Sequence, residues 1–341
     1  MAFLTNQQIY ETLFYHNCTI IVVFAAVEKG LKVSIKSSGL RFAGKKIEAF
    51  PLEKRIRFEK LIDTFFIWRT LKDEIRRRKL MRSDVKPLFQ VKEDEGYSKI
   101  NLDNFDSSIF IDYASQAKNQ YKLGGEFKQK NKKEYLQQIA NLENISSNNE
   151  IMKFALSDST LKAVSEYLGK FPILHDISVF YSPPSEVNLH NDEYRGSQLF
   201  HRDGGGTRCL KLWILCEKVS FENGPTTLLP VGISDSVCNK LRYVPGKKFE
   251  SDEPLSDVLH HAVSLVGEVG DCFATDTDRC LHYGSRTKKE SSRLVMMFHY
   301  VDRNSVYYLP FITKHYFKKY KKIDREKLEL SELSREAIRF R

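Results

Sequence analysis

The 341-residue chain lacks a long apolar run, a CxxC pair and an internal repeat. Its longest apolar stretch, Ile20 to Val27, is eight residues. A membrane-spanning helix needs about 20, so no span is expected. No Lys or Arg precedes that stretch, which argues against a secretory signal and for a cytoplasmic protein. Without CxxC spacing, the six cysteines (Cys18, Cys209, Cys216, Cys238, Cys272, Cys280) are expected as reduced, buried thiols rather than a disulfide framework. Gly204-Gly205-Gly206 is not followed by the Lys-Ser/Thr of a phosphate loop. It reads as a flexible turn.

What is present is a large potential core, 41% hydrophobic, and a formal charge of +10. The length allows two domains, or one catalytic domain with an extension. The charge is uneven. Residues 1–150 carry 26 basic and 19 acidic side chains, residues 303–341 carry 11 and 5, and residues 151–302 carry 17 and 20. The basic surplus therefore lies at the two ends, and the mildly acidic middle argues against a nucleic-acid groove there.

The first half reads as mostly helical. Between Glu53 and Leu80, Phe58, Leu61, Ile62, Phe65, Trp68, Leu71 and Ile75 recur at three- and four-residue steps, which predicts one apolar, core-facing helix stripe. The basic run Arg76-Arg77-Arg78-Lys79 then reads as a solvated face. Residues 84–150 are polar, and loops, short helices or a lid are expected there. Ser157 or Asp158 can cap a helix that runs to Leu168 and stops at Gly169. Short β-type runs follow: Ile177–Tyr181, Ser197–Asp203, Arg208–Cys216, Thr226–Leu229, Ser264–Val269, Cys272–Thr275 and Ser292–Asp302. Turn residues such as Asn223-Gly224-Pro225 separate them, which predicts an antiparallel sandwich or barrel. A basic helix is expected from about Lys314.

His201-Arg202-Asp203 ends one β-type run. Alternation along a strand sends positions i and i+2 to the same side, with Phe200 and Arg202 on the other. His282 comes much later in the chain, and Arg293 opens the β-type run that follows it. Arg293 shares a strand face with Val295 and Met297. An arginine on such a face needs an anionic partner, because an unpaired buried charge costs several kcal/mol. Two imidazoles and one carboxylate suit non-haem Fe(II) and leave open positions on the metal. A nearby guanidinium offers a planar fork to a carboxylate.

This set resembles the phytanoyl-CoA dioxygenase family of Fe(II)/2-oxoglutarate oxygenases. The resemblance rests on His201-x-Asp203, on His282 and Arg293 in that order and at their distances along the chain, and on neighbouring text. That text is Leu210-Lys211-Leu212-Trp213-Ile214, Gly224-Pro225 before Leu228-Leu229-Pro230, and Gly270-Asp271-x-Phe273. It covers residues 154–302. It implies an α+β fold with a double-stranded β-helix (jelly-roll, cupin-like) core, a helical N-terminal region and a C-terminal helix. The corresponding division is 1–150, 151–302 and 303–341.

The resemblance further implies iron on His201, Asp203 and His282, with Arg293 holding 2-oxoglutarate. Asn188, upstream of His201, becomes a second co-substrate contact, and O2 the oxidant. Lys211 and Trp213 share a strand face, and the resemblance allows either near the co-substrate, with Trp213 as a core aromatic the alternative. Some relatives carry Ser two residues after the distal His, where this chain has Gly284 with Ser285 next. Relatives that halogenate replace the carboxylate with a small residue, so Asp203 implies hydroxylation or another oxidation of a small-molecule substrate. Two alternatives remain at this point: a non-catalytic jelly-roll binding module, and an oxygenase acting on nucleic acid.

Overall fold

A computed structural model describes residues 33–36, 39–42, 45–46, 52–65, 67–102, 105–124, 134–146, 148–184, 194–204, 206–303 and 330–338. Near the N-terminus three short strands, β1 (Val33–Lys36), β2 (Gly39–Phe42) and β3 (Lys45–Lys46), form a small antiparallel meander. Helices α1 (Leu52–Phe65) and α2 (Ile67–Met81) follow.

The remaining strands are β4 (Tyr97–Ile100), β5 (Gln137–Asn141), β6 (Pro172–Ser182), β7 (Leu210–Leu215), β8 (Thr227–Leu228), β9 (Val263–Ser264), β10 (Cys272–Thr275), β11 (His282–Tyr283) and β12 (Arg293–Asp302). Six of them make one antiparallel sheet in the order β4-β10-β7-β12-β6-β5, and three make a second in the order β11-β8-β9. The sheets face each other. Leu215, Phe273 and Val295 of the large sheet pack with Leu228 of the small one in a single apolar cluster. This is the expected double-stranded β-helix.

Alternation along β12 explains how one strand serves two cores. Leu294, Met296, Phe298 and Tyr300 join the core beneath the helices. Val295 joins the core between the sheets. Helices α3 (Ser108–Lys122), α4 (Leu142–Ile145), α5 (Asn149–Leu156) and α6 (Asp158–Leu168) contribute to the first core. α6 begins and ends where its sequence says. The Ser157 hydroxyl accepts the Thr160 N–H at 3.2 Å. Gly169 closes the helix at φ 69°, a left-handed conformation that glycine adopts without a Cβ penalty. On the far side of the small sheet, α7 (Val231–Lys240) and a 3₁₀ segment (Glu253–His261) cover Phe200, Leu229 and Leu281.

Phe154 shows what the helix-side core contributes. It is 1% exposed and meets Phe105, Phe110 and Phe298 edge-on, with centroids 4.9, 4.9 and 5.1 Å away. Phe154→Ala is expected to cost about 3–5 kcal/mol, read as a shift of the urea midpoint.

Three expectations need correction. Residues 84–150 do not form only loops and short helices. Strands β4 and β5 pair on opposite edges of the large sheet, and α3 spans 15 residues. Ser197–Asp203 is not a strand: it holds a 3₁₀ turn (Gly196–Gln198) and isolated bridges from His201 to His282 and Lys248. The helix expected from Glu53 to Leu80 is two helices, and the described part of the stripe expected to face the core does not. Trp68, Leu71 and Ile75 are 78, 45 and 67% exposed, while Asp73 and Leu80 turn inward.

The inward turn of Asp73 pairs it with Arg303. It accepts from the buried Arg303 Nε at 2.8 Å, and breaking such a buried pair from one side costs about 3–5 kcal/mol. The side chains of Phe58, Leu61, Ile62 and Phe65 lie outside the described residues, as does the basic helix expected from Lys314 up to residue 329. Beyond it, α8 (Glu332–Glu336) and Ile338 pack against the core. Among the described residues no helix is long and apolar enough to cross a membrane. Cys209, Cys216, Cys238, Cys272 and Cys280 are free and buried.

Candidate metal centre

His201 and His282 are brought together by the backbone. His201 N donates to His282 O at 3.0 Å and His282 N to His201 O at 2.9 Å, so the two rings lie side by side with centroids 4.4 Å apart. Asp203 is fixed from a third direction, its N–H donating to Thr277 O at 2.9 Å. One ligand atom from each of the three residues lies within 4.8 Å of the others. His201 Nε2 is 3.7 Å from Asp203 Oδ1, and His282 Nε2 is 3.9 Å from Asp203 Oδ2. The sequence holds His282 far from the other two, and the sandwich folds all three into one centre.

The tautomers follow from the neighbours. His201 Nδ1 lies 2.8 Å from Leu199 O, and His282 Nδ1 lies 3.0 Å from Cys280 O. A carbonyl only accepts, so both Nδ1 atoms carry the proton. Both Nε2 lone pairs are left for a cation, the arrangement seen in metal-binding histidines. Burial lowers the His201 pKa. Burial and the adjacent His201 push His282 down to about 3. Burial alone would raise Asp203, but the Lys211 ammonium beside it overcomes this and holds the carboxyl well below its usual range. The donor set is two neutral imidazoles and one carboxylate, which fits a borderline divalent metal.

The far side of the HxD triplet is not solvent. Phe200 is fully buried, and Arg202 donates to Asp235 at 2.6 Å. Asp235 also accepts from Arg279 at 3.0 Å, which ties both metal-side loops to α7. These contacts hold the ligand-bearing loops from behind.

All three residues line a cavity of about 410 Å³ together with Phe180, Lys211, Trp213, Thr226, Tyr283 and Arg293. Arg293 is 4% exposed. Its two terminal nitrogens donate to neutral hydroxyls, to Thr226 Oγ1 at 3.2 Å and Ser285 Oγ at 3.0 Å, and its Nε has no hydrogen-bond partner among the described residues. Burial depresses its pKa to about 10, and among the described residues no acidic neighbour offsets this. Among those residues this buried cation is held by hydroxyls, which leaves its charge uncompensated by them.

Thr226 was not singled out by the sequence, because a threonine in a two-residue strand flank carries no motif. Ser285 supplies the hydroxyl that Gly284 cannot. Its φ of 63° turns Oγ towards Arg293 and Ser182. Trp213 also lines the cavity, and its Nε1 donates to Thr275 Oγ1 at 2.8 Å. Asn188 lies outside the described residues.

His299, on the cavity-side register of β12, is buried with its ring 4.8 Å from that of His175. Burial, with Lys211 and His175 nearby, holds its pKa well below the ordinary value. The sign follows. His299 stays neutral when folded and gains a proton when unfolded below about pH 6.5, so its contribution to stability is lost as pH falls from there towards the folded value. The slope is about 1.4 kcal/mol per pH unit. Urea titrations at neutral and mildly acid pH should show His299→Phe losing less stability than wild type by that slope. Equal slopes would show that His299 titrates normally.

No protein-family model matches the chain, and no curated protein does. Solved structures do. EctD from S. alaskensis with 2-oxoglutarate and 5-hydroxyectoine aligns at 16% identity and TM-score 0.44, over 61% of this chain and 73% of that one. The epimerase SnoN in complex with Fe3+, alpha ketoglutarate and nogalamycin RO aligns at 15% and 0.43, over 68% and 86%. AviO1 from Streptomyces viridochromogenes aligns at 15% and 0.41, over 62% and 91%. At these levels nothing about reaction or substrate passes from them to this chain.

Proposed function

We propose that this protein is an Fe(II)- and 2-oxoglutarate-dependent oxygenase that hydroxylates a C–H bond of a small-molecule substrate. In that reaction O2 and 2-oxoglutarate are consumed, and succinate, CO2 and the alcohol are released. The observation that carries the reading is Arg293: a buried guanidinium with no carboxylate neighbour among the described residues, lining the same cavity as His201, Asp203 and His282. A metal site alone does not call for it, whereas a diacid co-substrate does.

His201 and His282, through Nε2, and Asp203 would hold the iron, which supplies oxygen activation coupled to decarboxylation of the co-substrate. Arg293, with Thr226 and Ser285 fixing its fork, receives the distal carboxylate. Asn188 is a second contact by family resemblance only. Phe180, Trp213 and Met297 give the cavity apolar walls that limit water at the reacting centre. The division into 1–150, 151–302 and 303–341 belongs to the same reading, with the chemistry in the middle part. A cytoplasmic location accords with the five buried free thiols.

Incubation with Fe(II) and 2-oxoglutarate, without added substrate, is expected to form succinate slowly and to stop on chelation. No succinate at saturating Fe(II) and 2-oxoglutarate would favour the non-catalytic binding module. A substrate requirement for nucleic acid, with strong salt sensitivity, would favour the nucleic-acid reading.

A further inference from the structure

Lys211 donates from Nζ to Asp203 Oδ2 at 2.6 Å, and its side chain is 14% exposed. It stands on β7, the strand between β10 and β12, where its backbone partners are Thr275 and His299. A central-strand position makes this ammonium a fixed part of the centre.

A neutral donor would satisfy Oδ2 equally well, so the charge needs its own account. Two neutral imidazoles and Asp203 present one negative charge to a cation. Lys211 cancels it, and Arg293 adds a positive charge to the same cavity. A divalent metal is thereby held less tightly than by the three ligands alone, and a dianion entering afterwards is held more tightly. The hydrogen bond has a second consequence. With Oδ2 engaged by Nζ, Asp203 has one oxygen left to offer, which keeps a coordination position open for a chelating co-substrate.

We propose that Lys211 is a positioning residue of the metal centre. It fixes Asp203 as a one-oxygen ligand and shifts affinity from the metal to the dianionic co-substrate. This rests on the Fe(II)/2-oxoglutarate reading of the same site.

The test uses the full chain loaded with Co(II), whose visible absorption reports coordination, followed by titration with 2-oxoglutarate. Lys211→Met removes both charge and donor, and Lys211→Gln removes the charge but keeps a donor. Both variants are expected to bind Co(II) at least about tenfold more tightly and 2-oxoglutarate at least about tenfold more weakly than wild type. Lys211→Met alone should alter the Co(II) spectrum. A merely structural role would weaken both ligands together. That result, or no change in either affinity, overturns the proposal while leaving the metal site intact. Failure of wild type to bind Co(II) overturns the underlying reading instead. Should Lys211→Met not fold, the opposite-sign shifts in Lys211→Gln decide.

Discussion

His201→Ala and Asp203→Ala are each expected to abolish substrate-linked turnover and to weaken metal binding by more than about 100-fold, the upper end of what losing only an outer partner of a metal ligand costs. The size of the effect follows from the donor count. Only His201, Asp203 and His282 group in this way among the described residues. Removing one leaves two donors and, for Asp203, no anionic one. Asp203→Ala also leaves Lys211 buried without its 2.6 Å partner, so the metal-free variant should lose stability as well. His201→Ala removes a neutral side chain and leaves the Lys211–Asp203 pair intact, so it should fold nearly as well as wild type. Equilibrium dialysis with Fe(II) under anaerobic conditions, together with thermal melts, separates the two. Wild-type metal binding in either variant would remove these residues from the proposed role.

The second large effect belongs to Arg293. Arg293→Ala should weaken 2-oxoglutarate binding by about 2–4 kcal/mol, roughly 30- to 900-fold, the cost of breaking a buried charge pair from one side. Its effect on the metal-free fold has the opposite sign. A guanidinium buried with no carboxylate beside it among the described residues opposes folding, and hydroxyls from Thr226 and Ser285 offset only part of that cost. Arg293→Met, of similar volume, is expected to raise the stability of the metal-free protein by about 1–4 kcal/mol while losing co-substrate affinity. Calorimetric titration and thermal melts on one preparation read both. An unchanged 2-oxoglutarate affinity would take Arg293 out of the site.

Much of the centre was legible in the sequence because its chemistry is written in residue type and spacing. His201, Asp203 and His282 can face one point only if the strands between them fold back, and the turn-punctuated β-type runs said that they do. The register of β12 was equally plain, since Arg293, Val295 and Met297 alternate against Leu294, Met296 and Phe298.

What the sequence did not reveal depends on partners far away in the chain. The stripe from Trp68 to Ile75 has helical periodicity, but the side of α2 that turns inward carries Asp73, whose partner Arg303 lies 230 residues away. β4 and β5 are short and polar, and they become strands because β10 and β6 offer them an edge. Ser285 reaches Arg293 through a positive φ that no residue pattern announces.

In the proposed reading one cavity holds a divalent iron and a diacid together. Anaerobic addition of Fe(II) and then 2-oxoglutarate to the metal-free protein, followed by visible absorption, tests it most directly. A chelated keto acid on Fe(II) gives a charge-transfer band that neither component gives alone. That band is expected in wild type and is expected to be missing in Asp203→Ala. Iron binding with no band on adding 2-oxoglutarate, or an equal band in Asp203→Ala, would contradict it.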